Sequence, residues 1–551
     1  MSDHTHGATS SAPSAAPPPA AGGAFAPLRR PVFAVLWCAT VLGNTGSFMR
    51  DVASAWIVTD LSASPAAVGM VQAAAMLPVF LLAIPAGVLS DILDRRRFLI
   101  GIQVGLGMVS VALMLLSMSG LMTVSSLVAL TFLGGVGAAL MAPTWQSIVP
   151  ELVPRPELKS AVALNSLGIN IARSIGPAVG GLLLASFGAA VTYGADVASY
   201  VLVIAALWWW RRDAGAQDEL SERFTGAFRA GLRYARASHE LHVVLLRAVF
   251  FFFFASAVWA LLPLVARQIL KGDAAYYGVL LGSVGAGAIA GALLMPRLRA
   301  FTNADGLVLG SAFVTAVATA ALAFGPPRWL ALVVLLAMGG AWIIALTTLN
   351  ATAQSILPNW VRGRALAVYL TVFNGAMACG SIVWGLVAQE IGLAGALLVS
   401  GAGLVVAGLV LHRVKLPAGE ADLTPAMHWP EPLLAAPVEN DRGPVLILIE
   451  YRIAPEDRPA FLEALYGLSA ARRRDGAYSW GVTEDSADPA VMVEWFMVES
   501  WAEHLRQHRR VSHADADVQA GVLKYHQGEA PPRARHLIGA EHPRRAAGGP
   551  S

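Results

Sequence analysis

Several charged and amide side chains in this chain fall inside long apolar runs, where a charge is costly unless it is paired or used. Arg50 and Asp51 are adjacent in the run near Val32–Val58, with Asn44 one to two turns earlier on a nearby helical face. Asn170 and Arg173 share the run near Ala161–Phe187, and Asp196 is the isolated carboxylate of the run near Val191–Trp210. An arginine beside an amide can bind an anionic group or a coupling carboxylate, and a lone carboxylate in an apolar setting can take up and release a proton. Arg50 and Asp51 read equally well as a mutual pair or as cavity lining. Asn350 and Gln354, near the end of the run Leu330–Leu357, offer uncharged polar lining or hydrogen bonds between helices. These eight residues are the candidates for substrate binding or proton coupling.

Two short stretches carry a different chemistry, that of moving parts. Gly87-Val88-Leu89-Ser90-Asp91-Ile92-Leu93-Asp94-Arg95-Arg96-Arg97 interrupts two uncharged runs. Gly87 would let another helix approach closely. Asp91 would sit at the C-terminal end of its own helix, where the macrodipole disfavours an anion. It needs an external partner, and Arg95, Arg96 or the positive N-terminus of a helix starting after Arg362-Gly363-Arg364 could serve as a gate that opens and closes. Arg173-Ser174-Ile175-Gly176-Pro177-Ala178-Val179-Gly180-Gly181 is the second stretch. Pro177 deletes a backbone hydrogen bond and kinks its helix, while Gly176, Gly180 and Gly181 permit tight packing, so the segment reads as a sealing hinge.

The elements that must hold these residues follow from composition. At 551 residues, 56% hydrophobic and 14% charged, with a mean hydropathy of +0.59, the chain reads as an all-α polytopic membrane protein. Apolar runs mark roughly twelve spans. Besides those named, they lie near Val68–Leu89, Phe98–Met118, Val124–Val149, Val243–Gln268, Tyr276–Met295, Gly306–Phe324, Ala365–Val387 and Leu393–His412. Arg29/Arg30, Arg95–Arg97, Arg155/Lys159, Arg211 through Arg236, Arg297/Arg299, Arg362/Arg364 and Arg413/Lys415 fall on one side, which predicts cytoplasmic termini. Gln146-Ser147-Ile148-Val149-Pro150 recurs as Gln354-Ser355-Ile356-Leu357-Pro358, predicting two six-helix halves, 29–210 and 242–415.

Residues 1–28 and 541–551 read as disordered tails. Residues 211–241 read as a cytoplasmic linker, an amphipathic helix near the anionic leaflet with Phe224, Phe228, Leu232 and Tyr234 among its arginines. A Pro-rich linker, 416–443, leads to a soluble α+β unit, 444–540, patterned β-α-β-β-α-β in the ferredoxin-like manner, with one helix over Trp501–Tyr525.

Several functions are disfavoured. A dispersed net charge of +3 argues against nucleic-acid binding. Cys38 and Cys379, inside apolar runs, form no disulfide framework and read as small buried residues. There is no Gly-x-x-x-x-Gly-Lys-Ser/Thr for an ATP-driven pump. His504 and His508 sit four apart on one helical face, a spacing that could bind a metal, but the partner arrangement of a zincin is missing, so no metal or other cofactor is assigned.

The stretch Gly87 to Arg96 resembles the Gly-x-Leu-x-Asp-x-x-x-Arg-Arg signature between the second and third helices of major facilitator superfamily transporters. Gly176-Pro177-x-x-Gly180-Gly181 resembles the antiporter motif of their fifth helix. Ile92, Asp94, Ala172 and Thr131 depart from those patterns. Together with the repeat, the chain resembles the branch that includes the enterobactin exporter and the transmembrane secretion effectors. That resemblance implies an inner-membrane exporter of a siderophore, drug or secondary metabolite, working by alternating access with proton coupling. The aromatic-Glu-His start of the helix at Trp501 resembles dimeric α+β barrel domains related to antibiotic-biosynthesis monooxygenases, which implies self-association through the tail. The alternatives are a membrane-anchored enzyme or sensor in the tail, and a metabolite uptake transporter.

Overall fold

A computed structural model describes residues 25–211, 224–358, 360–418, 422–424, 426, 429, 438–439 and 442–540. Ten helices among them are long and apolar enough to cross a membrane. They are α1 (Pro31–Leu61), α2 (Pro65–Ile92), α3 (Arg95–Ser119), α4 (Val124–Leu152), α5 (Leu158–Trp209), α7 (His239–Leu264), α8 (Ala274–Phe301), α9 (Ala304–Ala323), α10 (Arg328–Ser355) and α11 (Arg362–Leu411), with α6 (Phe224–Ala237) between α5 and α7. A π turn, Val265–Ile269, extends α7.

Two of these helices are far too long for one crossing. At 52 and 50 residues, α5 and α11 would run about 75 Å, against a hydrocarbon core of about 30 Å. Each is broken once, at Gly188 (φ 78°) and Gly392 (φ 79°), a backbone conformation that glycine adopts without steric cost. Prolines inside α2 (Pro78, Pro85), α4 (Pro143, Pro150), α5 (Pro177) and α8 (Pro296) are accommodated within the helices.

The alternating course of the helices defines two ends. The turns at 62–64, 120–123, Gly188, 270–273, 324–327 and Gly392 lie at one end, called distal. The turns at 93–94, 153–157, 302–303 and 356–361, with both ends of the membrane region, lie at the other, called proximal. The two repeat copies end α4 and α10, both at the proximal end.

The C-terminal unit comprises β1 (Val445–Arg452), α12 (Arg458–Asp475), β2 (Ser479–Glu484), β3 (Val491–Val498), α13 (Trp501–Arg510), α14 (His513–Leu523) and β4 (Arg533–Ile538). Its strands form one antiparallel sheet in the order β2-β3-β1-β4. Side chains of β3 alternate strictly between half-buried and buried. Tyr451, Phe461, Leu465, Leu468, Met492 and Val522 fill one part of the core, and Val445, Ile447, Phe496, Val498 and Trp501 another.

Three expectations are corrected. The single helix over Trp501–Tyr525 is two, because Ser512 and Asp515 form a capping box that starts α14 afresh. Cys38 and Cys379 are exposed rather than buried. The Tyr234 face of α6 meets protein instead of the leaflet: Tyr234 and Ala235 are buried, the Tyr234 hydroxyl donates to the Ile356 carbonyl at 3.3 Å, and its ring meets the Trp360 edge.

Candidate functional site

Three of the eight candidate residues come together. Arg50 of α1 donates to Asp196 of α5 at 3.4 Å and to Asp51 at 3.2 Å, so Asp196 is paired rather than isolated. The same guanidinium donates to the Tyr200 hydroxyl at 2.8 Å, which in turn meets Ser47 at 3.0 Å. Ser110 of α3 donates to the Asp196 carboxylate at 2.6 Å, and Ser199 lies 3.4 Å from its other oxygen. Asp196 has no solvent exposure and Arg50 only 9%, while Asp51 is exposed. Eight residues past the Gly188 break, Asp196 sits about 12 Å along its helix segment from the distal end, inside the membrane region.

Glycine on α1 makes this approach possible. A Cβ at Gly46 would stand 2.3 Å from the Ser199 hydroxyl and 2.7 Å from Asp196, and one at Gly43 would stand 2.8 Å from Val203. Neither of those glycines was singled out from the sequence, nor were Ser47, Ser110, Ser199 and Tyr200.

The other candidates stand apart. Asn170 donates to the Ser166 carbonyl at 2.9 Å, within its own helix. Arg173 is half-buried, with no hydrogen bond or ion pair among the described residues, and Asn44 likewise has no hydrogen bond among them. Gln354 donates to Asn350 at 2.7 Å along α10, an intrahelical bond rather than one between helices.

The hinge motif divides its contacts between two neighbours. Gly176 and Gly180 face α1: a Cβ at Gly176 would meet Phe48 at 2.7 Å and one at Gly180 would meet Met49 at 2.7 Å. Gly181 faces α8, where a Cβ would meet the Ala274 carbonyl at 2.6 Å and Gly278 at 2.7 Å. A Cβ at Gly278 would in turn meet the Pro177 carbonyl at 2.6 Å. The pair α2 and α11 repeats this close approach, with a Cβ at Gly69 meeting the Ser381 carbonyl at 2.3 Å.

Polar contacts at the distal end also bridge elements before and after α6. Arg267 pairs with Asp60, donates to Thr59 at 2.9 Å and lies over the Trp56 ring, which stacks on Tyr277. Ser64 donates to Gln389 at 3.1 Å.

At the proximal end, ion pairs form on each side of α6. Arg95 donates to Glu151 at 2.8 Å and to the Ser147 carbonyl at 3.3 Å, and Arg96 donates to the carbonyls of Leu207 and Trp208 at 2.8 and 2.9 Å. Gly87 and Asp91 belong to α2, but their side chains lie outside the described residues. Beyond the second-half loop, Asp305 is buried against Arg247 and accepts from the Leu416 amide at 3.1 Å, while Arg247 donates to the Val414 carbonyl at 2.7 Å.

The C-terminal unit reaches this end. Arg233 of α6 donates to Glu503 at 3.2 Å and to Glu499 at 3.4 Å, and Arg510 packs over Trp360 with its guanidinium 4.2 Å from the ring. Burial, reinforced by Asp515, pushes the Asp475 carboxyl up to about 7. Burial, with repulsion from His508 and His536, pushes the His504 imidazole down to about 3.

The chain belongs to the transmembrane secretion effector family of major facilitator superfamily transporters, whose family profile matches residues 22–544. It is 21% identical over 372 residues to the staphyloferrin A transporter of Staphylococcus aureus, covering 67% of this chain and 93% of that protein. It is 28% identical to the enterobactin exporter EntS of Salmonella typhi (60% and 78% covered), and 22% to macrolide efflux protein A of Streptococcus pyogenes (70% and 96%). Among solved structures, a bacterial homologue of the lysosomal transporter Spinster, inward-facing and unoccupied, matches with a TM-score of 0.58 at 16% identity, over 70% of this chain and 97% of that one. The fold is therefore that of a multi-pass membrane transporter.

Proposed function

We propose that this transporter exports a small molecule by proton-coupled alternating access between two six-helix halves, with Asp196 as the proton-carrying group. Counting α5 and α11 as two spans each gives twelve spans and leaves both ends of the membrane region at the proximal end, which the basic residues assign to the cytoplasm. The observation that carries the reading is the buried Asp196 cluster: a carboxylate inside the membrane region, paired to Arg50 and surrounded by hydroxyls that can follow its protonation.

The glycine contacts of Gly181 with Gly278 and of Gly69 with Ser381 are the distal seal of the inward-facing state, and the Gly176 to Gly181 segment is its hinge. Asp91, with Gly87, Arg95 and Arg96, belongs to the opposing cytoplasmic gate. Arg173 and Asn170 face the transported molecule's anionic group. The substrate class is that named for the relatives, a siderophore or a drug. The C-terminal unit has the strand order of a ferredoxin-like fold and serves self-association or regulation rather than catalysis.

Accumulation of siderophores and of several drugs in cells lacking the transporter, restored to low levels by the intact chain, tests this reading. Uptake instead of loss on expression would replace it with import. Turnover of a substrate by a transport-inactive chain would favour the anchored enzyme.

A further inference from the structure

In the C-terminal unit the structure adds a third histidine to the helical pair. His504 and His508 lie on α13, and His536 lies on β4 opposite Ile447. One ligand atom from each falls within 4.8 Å of the other two. The Nε2 atoms of His504 and His508 are 3.2 Å apart. Two nitrogens bound to one tetrahedral zinc at about 2.0 to 2.1 Å stand about 3.3 Å apart, so this pair already has the edge length of a metal site.

We propose that His504, His508 and His536 form a binding site for a divalent transition-metal ion of the zinc class, with the fourth coordination position left open.

The surroundings fit that use. Trp501 is buried and lies against both His504 and His536, and Trp429 meets the edge of His508, so the rings are held by aromatic walls. His504 is almost fully buried, and the other two are half-buried. Two neutral imidazoles that meet through their Nε2 atoms share one proton between them, and that shared position is where an ion would sit. Moving the proton to Nδ1 of His504 frees its Nε2 lone pair. That Nδ1 is buried without a hydrogen bond, as are both amide atoms of the fully buried Gln507, whose carbonyl oxygen would accept a hydrogen bond from the Nδ1–H as a supporting ligand does.

Three imidazoles without thiolate or carboxylate select zinc, cobalt, nickel or copper over magnesium and calcium. The site also has a structural consequence. Helix α13 carries Glu503 and Arg510 to Arg233 and Trp360, so a bound ion would fasten to the sheet the helix that meets the membrane unit.

The test is titration of the full-length, tag-free, chelator-stripped protein in detergent with Co²⁺ and with Zn²⁺. The expected result is one Co²⁺ per chain with the intense visible absorption of a tetrahedral site, displaced by Zn²⁺. His508→Gln and His536→Gln, both at half-buried positions, should each abolish that absorption and weaken binding at least roughly tenfold, as should Gln507→Ala through the supporting shell. His513→Ala, at an exposed histidine on α14, should leave it unchanged. Absence of a stoichiometric tetrahedral Co²⁺ spectrum in the wild-type protein would overturn the proposal, as would its persistence in His508→Gln and His536→Gln.

Discussion

Among the described residues, the membrane region holds two buried arginine–aspartate pairs, and they are built for different ends. Arg50 and Asp196 meet well inside the membrane region, and their other partners are mainly hydroxyls, those of Tyr200, Ser110 and Ser199. Arg247 and Asp305 meet at the proximal end, where Asp305 is in the first turn of α9, and their other partners are backbone groups of Val414 and Leu416. Hydroxyls rotate and exchange donor for acceptor when a carboxylate gains or loses a proton. A backbone amide cannot. The first pair can change state without unravelling its neighbours, whereas the second clamps the chain just past α11 and would lose stability if it changed.

Neutralising each carboxylate in turn separates the two roles. Asp196→Asn keeps the shape and the contact with Ser110 but removes the charge; we expect export to fall on the order of a hundredfold at near-normal membrane abundance, measured as accumulation in cells. Asp305→Asn should do the reverse, lowering stability by about 3 to 5 kcal/mol through an uncompensated Arg247, while transport per folded molecule persists. A fall in thermal midpoint without a fall in specific activity is the signature. If Asp305→Asn silenced transport in a fully stable protein, the division of labour would fail.

Gly181→Leu strikes backbone across the two halves, whereas Gly176→Leu strikes Phe48 and α1 within one half. Engineered cysteines at the distal end should become accessible in the first variant and stay shielded in the second, with export reduced in both. For the C-terminal unit, burial beside Asp515 raises the Asp475 carboxyl above its unfolded value, despite Arg474, Arg510 and Arg472 nearby. At Asp475 the folded unit therefore binds more protons than the unfolded one, so this group's contribution to stability falls as pH rises from about 4 to about 7, while that of His504, held down to about 3, rises up to about pH 6.5. Asp475→Asn should remove the Asp475 contribution alone, so that in thermal melts the variant gains stability relative to wild type as pH rises from about 4 to about 7 and stays ahead at pH 8.

The apolar runs made the helices legible because a lipid-facing span has little freedom in composition, and helix starts such as Pro31, Pro65 and Val124 lie within three residues of those expected. Asp196 stood out for the same reason. What surrounds it did not, since Ser110 and Tyr200 are ordinary inside membrane helices, and only tertiary packing aims them at one carboxylate. Arg247 lay unremarked near the start of a run dominated by five phenylalanines, and its partner Asp305 reads as a helix-start residue. His536 reaches His504 from a strand far along the chain, a contact invisible to local spacing. The break between α13 and α14, by contrast, was written in Ser512 and Asp515.

The most direct test of Asp196 as the proton-carrying group is transport in proteoliposomes, comparing a imposed pH gradient with energy-independent substrate exchange. Wild-type protein should accumulate substrate in response to the gradient. Asp196→Asn should still exchange substrate but show no response to the gradient, and a gradient response equal to wild type in that variant would contradict the account.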